Sequence, residues 1–379
     1  MKPRTHEVAN PPRAERALLV GHAGRDGREL PRSLEELRRL ADTAGARVLG
    51  TLVQRRGDVR PPTFLGKGKV AELKALAEDL EADVALFNDD LSPPQVRNLE
   101  KELGVKVVDR SELILDIFAR RARTRESRLQ VELAQLQYMM PRLTGMWKHL
   151  ERQAGGIGTR GPGETQLETD RRFVRERIAR LKDALKSVER ERETQRRRRR
   201  GRFRAALVGY TNAGKSTLFN ALTRADVFVE DRLFATLDAT TRQMVSPARE
   251  LALLTDTVGF IRKLPHHLVA SFHSTLVEAV EADLLVHVVD AADPDLRRQM
   301  IAVDAVLEDL LEEPRPTLLV FNKTDLVVDE DLLAGLRVEF PGSFLISALT
   351  GAGLDALRAY VWEQAAAHAT AGAPRGTEA

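Results

Sequence analysis

The sequence predicts an α/β protein in three parts. These are a small N-terminal parallel α/β domain, a long antiparallel helical hairpin, and a phosphate-loop domain on a doubly wound, mostly parallel sheet. Three observations carry this prediction. Strand-like and helix-like patterns alternate from about Arg16 to Val108. Two heptad stripes of similar length follow, separated by a glycine-rich stretch. Beyond them, Gly-x-x-x-x-Gly-Lys-Ser stands between an apolar run and a helical pattern.

In the first part, residues 17–20 and 47–53 read as strands, with Ser33-Leu-Glu-Glu36 as a capping box opening the helix between them. A helix from about Lys69 to Leu80, a strand at 83–87, a helix opened by Ser92 and closed by Gly104, and a strand at 105–108 continue the alternation. Such alternation builds a parallel sheet. The segment Gly66-Lys-Gly-Lys69 resembles a phosphate loop but lacks the full spacing, so no nucleotide is assigned to it.

Leu129, Leu133, Leu136, Met140 and Leu143 repeat at 4-3-4-3 spacing, as do Val174, Ile178, Leu181, Leu185 and Val188. Two such stripes joined by a loop predict an antiparallel hairpin, with arms of roughly 30 residues and about 45 Å. Pro141 kinks or ends the first arm. A dimeric coiled coil is the alternative, but pairing within the chain costs less entropy, so a monomer is expected. The tip, residues 145–163, holds six glycines with Trp147, Lys148, Arg152 and Arg160. Glycines permit close approach, tryptophan stacks on a base and basic side chains pair with phosphates, a combination suited to folded RNA. The bland reading of the tip is a flexible, protease-sensitive loop.

Composition narrows the function classes. The 379 residues suit two or three domains. There is no cysteine, hence no disulfide or thiolate metal site, and no apolar run approaches a membrane span. With no apolar signal core after Met1, a cytoplasmic protein is expected. Residues 109–204 carry 26 Lys/Arg against 14 Asp/Glu, a surplus of 12 that leaves the rest of the chain at −9 within an overall +3. A basic middle between acidic flanks suits a polyanionic partner, although solvated helix charges alone could produce a milder surplus. The arginines from Arg196 to Arg200, with Arg202 and Arg204, exceed what solubility requires. The expected boundaries are a tail at 1–14, the α/β domain at 15–110, the hairpin at 111–200, the nucleotide domain at 201–367 and a second tail at 368–379.

The nucleotide domain carries the chemistry. Gly209, Tyr210, Thr211, Asn212, Ala213, Gly214, Lys215 and Ser216, with Thr217 beside them, follow the apolar run 205–208 and precede the helical pattern 218–222. In that context the glycines let backbone N–H groups and a helix N-terminus face a phosphate. Lys215 would reach the β- and γ-phosphates and Ser216 would ligate Mg²⁺. Asp256, Thr257, Val258 and Gly259 close the strand 251–255, where Asp256 would hold Mg²⁺ through a water and the Gly259 N–H would touch the γ-phosphate. Between them lie Phe234, Ala235, Thr236, Leu237 and Asp238. Thr236 is the candidate hydroxyl for Mg²⁺ when the γ-phosphate is present, with Thr240 and Thr241 as rivals.

Asn322, Lys323, Thr324 and Asp325 end the strand 317–321. Asp325 can accept from N1–H and the exocyclic amino group of guanine, a donor pair adenine lacks. Asn322 bonds either the N7 edge of the base or the neighbouring loop, and the Lys323 stem covers the base face. Ser347, Ala348 and Leu349 follow the strand 343–346 and complete the base-side loop. The expected ligands are GTP and GDP with Mg²⁺, and Lys215, Thr236 and Gly259 are the expected catalytic positions.

Where many GTPases carry a glutamine that orients water, this chain has Phe260. A phenyl ring cannot do so, and intrinsic turnover of about 10⁻⁴–10⁻² s⁻¹ is expected, with a partner completing the site. His266, His267 and His273 follow as polar substitutes, although such histidines are more often solvated helix residues.

The chain resembles the HflX-type GTPases, of the translation-factor-related class that includes Obg. The resemblance rests on Phe64-Leu-Gly-Lys-Gly-Lys69, Leu129-Gln-Val-Glu-Leu-Ala-Gln-Leu136, Gly155-Gly-Ile-Gly-Thr-Arg-Gly-Pro-Gly-Glu164, Phe234-Ala-Thr-Leu-Asp238 and Ser347-Ala348. These landmarks span roughly three-quarters of the chain and are highly specific. The resemblance implies GTP-dependent binding to the large ribosomal subunit, with the helical part near the peptidyl-transferase region and ribosomal RNA as partner. It implies ribosome splitting in some members, and a hydrophobic residue in place of the catalytic glutamine. It also implies phosphate and Mg²⁺ contacts at 209–216, Thr236 and 256–259, and guanine contacts at Asn322, Lys323, Asp325, Ser347 and Ala348. The short C-terminus departs from relatives with an extra domain. Competing readings are an RNA-binding scaffold with a structural nucleotide, and an RNA-remodelling enzyme that also accepts ATP.

Overall fold

A computed structural model describes residues 14–24, 27–55, 58–143, 162–197, 201–223, 230, 232–245, 251–262, 278–311 and 313–372. Tertiary contacts divide the chain into two compact units, 1–117 with 138–171 and 118–137 with 172–379. This division cuts across the three segments suggested by the sequence. The base of the helical region belongs with the nucleotide domain.

The first unit holds a four-stranded parallel sheet in the order β2-β1-β3-β4. Its elements are β1 (Arg16–His22), α1 (Leu30–Thr43), β2 (Arg47–Gln54), α2 (Lys67–Asp79), β3 (Val84–Phe87), α3 (Pro93–Leu103) and β4 (Lys106–Asp109). Short apolar strands such as β3, buried along its whole length, suit a sheet covered on both faces. Ser92 precedes α3, its N–H bonded to Gln95 Oε1 at 2.9 Å, and Gly104 ends that helix at φ 73°, both as expected. The capping box at Ser33 does not form. Helix α1 starts at Leu30 with Pro31 in its first turn, so Ser33 lies inside it and donates instead to Asn88 Oδ1 at 2.8 Å.

The first arm of the helical region is broken. Helix α4 (Arg110–Arg121) and α5 (Arg125–Met139) are separated at 122–124, where one continuous arm was expected. Helix α5 ends two residues before Pro141, in line with the proline's effect. Helix α6 (Pro162–Arg197) runs 36 residues, about 54 Å. Arg177 Nε pairs with Glu132 at 2.7 Å and Arg192 Nε with Glu126 at 2.7 Å. The partner falls in sequence as α6 rises, so α5 and α6 are antiparallel. Leu181, in the predicted stripe, is fully buried. The tip residues Trp147, Lys148, Arg152 and Arg160 lie outside the described residues, as do Arg198 to Arg200.

The nucleotide domain is a six-stranded sheet in the order β10-β9-β8-β5-β7-β6, parallel except for β6 against β7. The strands are β5 (Phe203–Gly209), β6 (Thr240–Val245), β7 (Leu251–Asp256), β8 (Leu284–Asp290), β9 (Thr317–Asn322) and β10 (Phe344–Leu345). Helices α7 (Lys215–Thr223), α8 (Leu296–Leu310), α9 (Glu330–Glu339) and α10 (Leu354–Gly372) accompany them. Leu207, Leu254 and Val288 pack with Leu218, Phe219 and Leu357 in one apolar cluster. Helix α10 continues to Gly372, past His368 where the sequence suggested a tail, and the His368 ring meets Phe203 edge-on at 5.8 Å. Gly209, Asp256 and Asn322 stand at the carboxyl ends of β5, β7 and β9, the edge at which doubly wound sheets bind ligands.

Candidate nucleotide site

The loop between β5 and α7 is shaped by two glycines. Gly209 has φ 147° and Gly214 φ 90°, and a Cβ at either would collide, with the Val288 carbonyl oxygen or with Asn322 Nδ2. Neither place admits another residue without a shift. Asn212 at φ 63° completes the turn. Lys215 folds back over this loop, its Nζ donating to the Tyr210 carbonyl at 2.8 Å and the Gly209 carbonyl at 3.2 Å. It is 6% exposed. Burial pulls its pKa down to about 8, with Lys323 acting in the same direction and Asp256 opposing.

Three oxygens converge beside it. Ser216 Oγ lies 2.7 Å from Asp256 Oδ2 and 2.7 Å from Thr236 Oγ1, and Thr236 Oγ1 lies 3.2 Å from Asp256 Oδ2. Asp256 is fully buried, and its Oδ1 has no hydrogen-bond partner among the described residues. Burial raises its pKa, against the bonds from Ser216 and Thr236 and the charge of Lys215. An orphaned carboxylate oxygen amid hydroxyls is the donor set a hard divalent cation requires, and the residues fit Mg²⁺. Of the three threonine candidates, Thr236 is the one with its hydroxyl bonded to this cluster. Thr241 Oγ1 pairs with Thr255 Oγ1 at 2.9 Å across β6 and β7, and Thr240 lies opposite Asp256 in the same ladder.

Thr211, Asn212, Gly214, Lys215, Ser216 and Thr217 line one wall of the phosphate cleft, and Phe234, Ala235, Thr236, Thr257 and Gly259 the other. A Cβ on Gly259 would stand 2.6 Å from Thr211 Cα and 2.9 Å from Lys215 Nζ, so this strand end presses on the loop. Thr257 Oγ1 donates to the Leu207 carbonyl at 2.6 Å and Val258 is buried, so both brace β5 and β7. Leu237 is buried, and Asp238 accepts from the backbone of 123–124; neither lines the cleft. Phe260 is 1% exposed, and its backbone exchanges bonds with the loop: its N–H to the Gly209 carbonyl at 3.1 Å, and the Thr211 N–H to its own carbonyl at 2.7 Å. A ring sealed in the core touches no attacking water. His266, His267 and His273 lie outside the described residues.

On the base side, Asn322 is held at both ends of its amide. Its Nδ2 donates to the Ala213 carbonyl at 3.0 Å and its Oδ1 accepts from the Ala348 N–H at 2.9 Å; the amide nitrogen carries a second hydrogen, so this bond to the neighbouring loop does not exclude one to the N7 edge. Lys323, at φ 64°, pairs through Nζ with Asp290 Oδ2 at 2.7 Å. Thr324 N–H is bonded to the Ile346 carbonyl at 3.2 Å, which joins the two base-side loops. Asp325 is exposed and makes no hydrogen bond or ion pair among the described residues. Ser347 is buried, its Oγ accepting from Thr350 N–H at 3.1 Å, while Leu349 is 79% exposed. Sequence reasoning missed Asp290, Glu230 and Arg232, the last two lining the phosphate cleft. Glu230 and Arg232 sit in no motif, and only the charge of Asp290 at a strand end hinted at it.

Comparison with known proteins agrees with this geometry. Residues 31–119 match the family "GTP-binding GTPase N-terminal", 121–199 "GTP-binding GTPase Middle Region" and 204–323 "50S ribosome-binding GTPase". The GTPase HflX of Alkalihalophilus pseudofirmus is 52% identical over 318 residues, 83% of this chain and 75% of that one. That of Escherichia coli is 48% identical over 330 residues, 86% and 77%. The chain belongs to the HflX family of GTPases. A solved complex of SsGBP with GDP is similar in structure, with a TM-score of 0.52 and 26% identity over 94% of this chain and 99% of that one. The family's chemistry is binding of guanine nucleotide and hydrolysis of GTP, and the match at 204–323 includes the phosphate loop, Asp256 and Asn322. Among the described residues no helix is long and apolar enough to cross a membrane.

Proposed function

We propose that this GTPase binds the large ribosomal subunit in its GTP state, with the helical region and its glycine-rich tip meeting ribosomal RNA. The observation that carries the reading is the match of residues 204–323 to a family described as 50S ribosome-binding GTPases, joined to a helical segment with 12 surplus positive charges. The role is in translation, ribosome rescue or ribosome assembly. The protein acts as a monomer, since the apolar stripes of α5 and α6 can satisfy one another.

Ser216 and Thr236 would hold Mg²⁺, with Asp256 behind them, and the ion would neutralise charge between the β- and γ-phosphates. Lys215, freed from the Tyr210 and Gly209 carbonyls, would turn its ammonium to the same phosphates. Asp325 would read guanine and the Lys323 stem would cover its face. With Phe260 in the core, no side chain at that position orients water, so hydrolysis is slow until a partner completes the site.

The test is GTP hydrolysis by the pure protein with and without purified large subunits, across a salt series. Stimulation of about tenfold or more, with binding that falls steeply in salt, is expected. Binding without stimulation favours the scaffold reading, and hydrolysis of several per second by the isolated protein sinks the incomplete-site account.

A further inference from the structure

The segment between Glu230 and Asp238 is fastened at three points to the junction of α4 and α5. Arg121 pairs with Glu230. The rings of Phe118 and Phe234 meet edge-on, 4.7 Å between centroids at 80°. Asp238 makes the third fastening. Its Oδ2 accepts from the N–H groups of Arg123 at 3.1 Å and Thr124 at 3.3 Å, and its Oδ1 from the Thr124 hydroxyl at 2.6 Å. Thr124 Oγ1 in turn accepts from the Ser127 N–H at 3.1 Å, the bond of an N-cap. The Asp238 carboxylate thus lies at the positive end of α5, held by three donors, although 114 residues separate it from Thr124.

Two residues earlier in the chain stands Thr236, 2.7 Å from Ser216. Phe234, two residues earlier again, is tied on its other side by its N–H to Thr211 Oγ1 at 2.8 Å. Thr236 is therefore strung between an anchor on the phosphate loop and an anchor on α5. In the usual GTPase switch, such a segment orders only around the γ-phosphate. Here contacts with the helical region already supply that order.

We propose that Asp238 is a positioning residue for GTP hydrolysis, holding Thr236 toward the γ-phosphate by anchoring the switch segment to the N-terminus of α5 through Thr124. The inference rests on the reading of Thr236 as the γ-phosphate-dependent Mg²⁺ ligand. It also gives the helical region a route to the chemistry. Helix α5 is ion-paired to α6 through Glu126 and Glu132, so a partner that moves these helices moves the anchor of Thr236.

The experiment compares single-turnover GTP hydrolysis, GDP affinity and melting temperature in the full chain. The variants are Asp238→Ala, Asp238→Asn, Thr124→Val and Thr236→Ala. Asp238→Ala and Thr124→Val are expected to slow hydrolysis about tenfold while GDP affinity stays within about twofold, because GDP does not need Thr236. A fifth variant combining Asp238→Ala with Thr124→Val should be no slower than either single one, as for two halves of one contact. Asp238→Asn, whose amide oxygen still accepts, should recover most of the rate. A normal rate in Asp238→Ala beside a slow Thr236→Ala overturns the anchor and leaves the Thr236 reading standing. A normal rate in Thr236→Ala overturns the Thr236 reading itself. Parallel loss of rate, GDP affinity and melting temperature in Asp238→Ala reduces the contact to a structural cap and overturns the proposal.

Discussion

Ala348 donates its backbone N–H to Asn322 Oδ1 at 2.9 Å, and through this bond the base-side loop is locked to the phosphate loop. The other end of Asn322 donates to the Ala213 carbonyl, so one buried side chain sets the distance between the phosphate and base sites.

Asn322→Ala leaves a buried N–H and a buried carbonyl unpaired, at about 1–3 kcal/mol each. The melting temperature should fall and GDP affinity should weaken by about tenfold or more, since the two loops lose their spacing. A fluorescent GDP titration beside a thermal melt checks this. Unchanged affinity in a destabilised protein would confine Asn322 to folding.

Gly214→Ala tests the shape of the phosphate loop. The new methyl group would meet Asn322 Nδ2 and stand at φ 90°, so both the loop and the Asn322 bridge must shift. Backbone strain of about 1–3 kcal/mol adds to the lost bridge. Nucleotide binding should drop more than in Asn322→Ala, with circular dichroism still showing a folded protein. Binding equal to wild type would mean the loop relaxes freely.

The pH dependence follows from Lys215. Its pKa is lowered by burial from 10.5 to about 8 in the nucleotide-free protein. The unfolded chain keeps that proton up to the higher value, so it binds more protons between the two, and this group's contribution to stability rises with pH across the window. A bound phosphate favours the ammonium and returns the proton. GDP affinity should therefore be flat below about pH 7, fall about twofold by about pH 8 and roughly sevenfold by about pH 8.8, tending to tenfold per unit. Calorimetry in two buffers of different ionisation enthalpy should register proton uptake near pH 8.5. Zero uptake there would place the pKa elsewhere.

How much of this was legible in the sequence depends on whether the cause is local. Gly209, Gly214, Asp256 and the Asn322 loop lie where the motifs put them, because strand-end loops are set by nearby backbone sterics. Thr236 could not be separated from Thr240 and Thr241 by spacing. What favours Thr236 is its bonding to Ser216 and Asp256, while Thr241 pairs with Thr255 across β6 and β7, relations a linear pattern does not display. The break between α4 and α5 was invisible for the same reason. Residues 122–124 contain neither glycine nor proline, and although Thr124 caps the new helix start locally, the carboxylate that holds this cap is Asp238, far along the chain. Ser33 misled in the opposite sense, a correct local signature overridden by Pro31 and by the buried partner Asn88.

The base assignment turns on Asp325, which is exposed and has no partner in the described protein. Asp325→Asn therefore removes no internal contact, and its melting temperature should match wild type within the roughly 0.5 kcal/mol of a surface substitution. The amide replaces one acceptor with a donor, which faces the donors of guanine and suits the carbonyl of xanthine. GTP affinity should fall by about two orders of magnitude or more, the scale on which a polar site rejects a ligand that leaves its groups unpaired. Xanthosine triphosphate should gain what GTP loses, and hydrolysis of the bound xanthine nucleotide should run at the wild-type GTP rate, because the Lys215, Ser216, Thr236 and Asp256 cluster is untouched. A variant that still prefers GTP would show that the base is read elsewhere, and the exposed carboxylate would then be an ordinary surface charge.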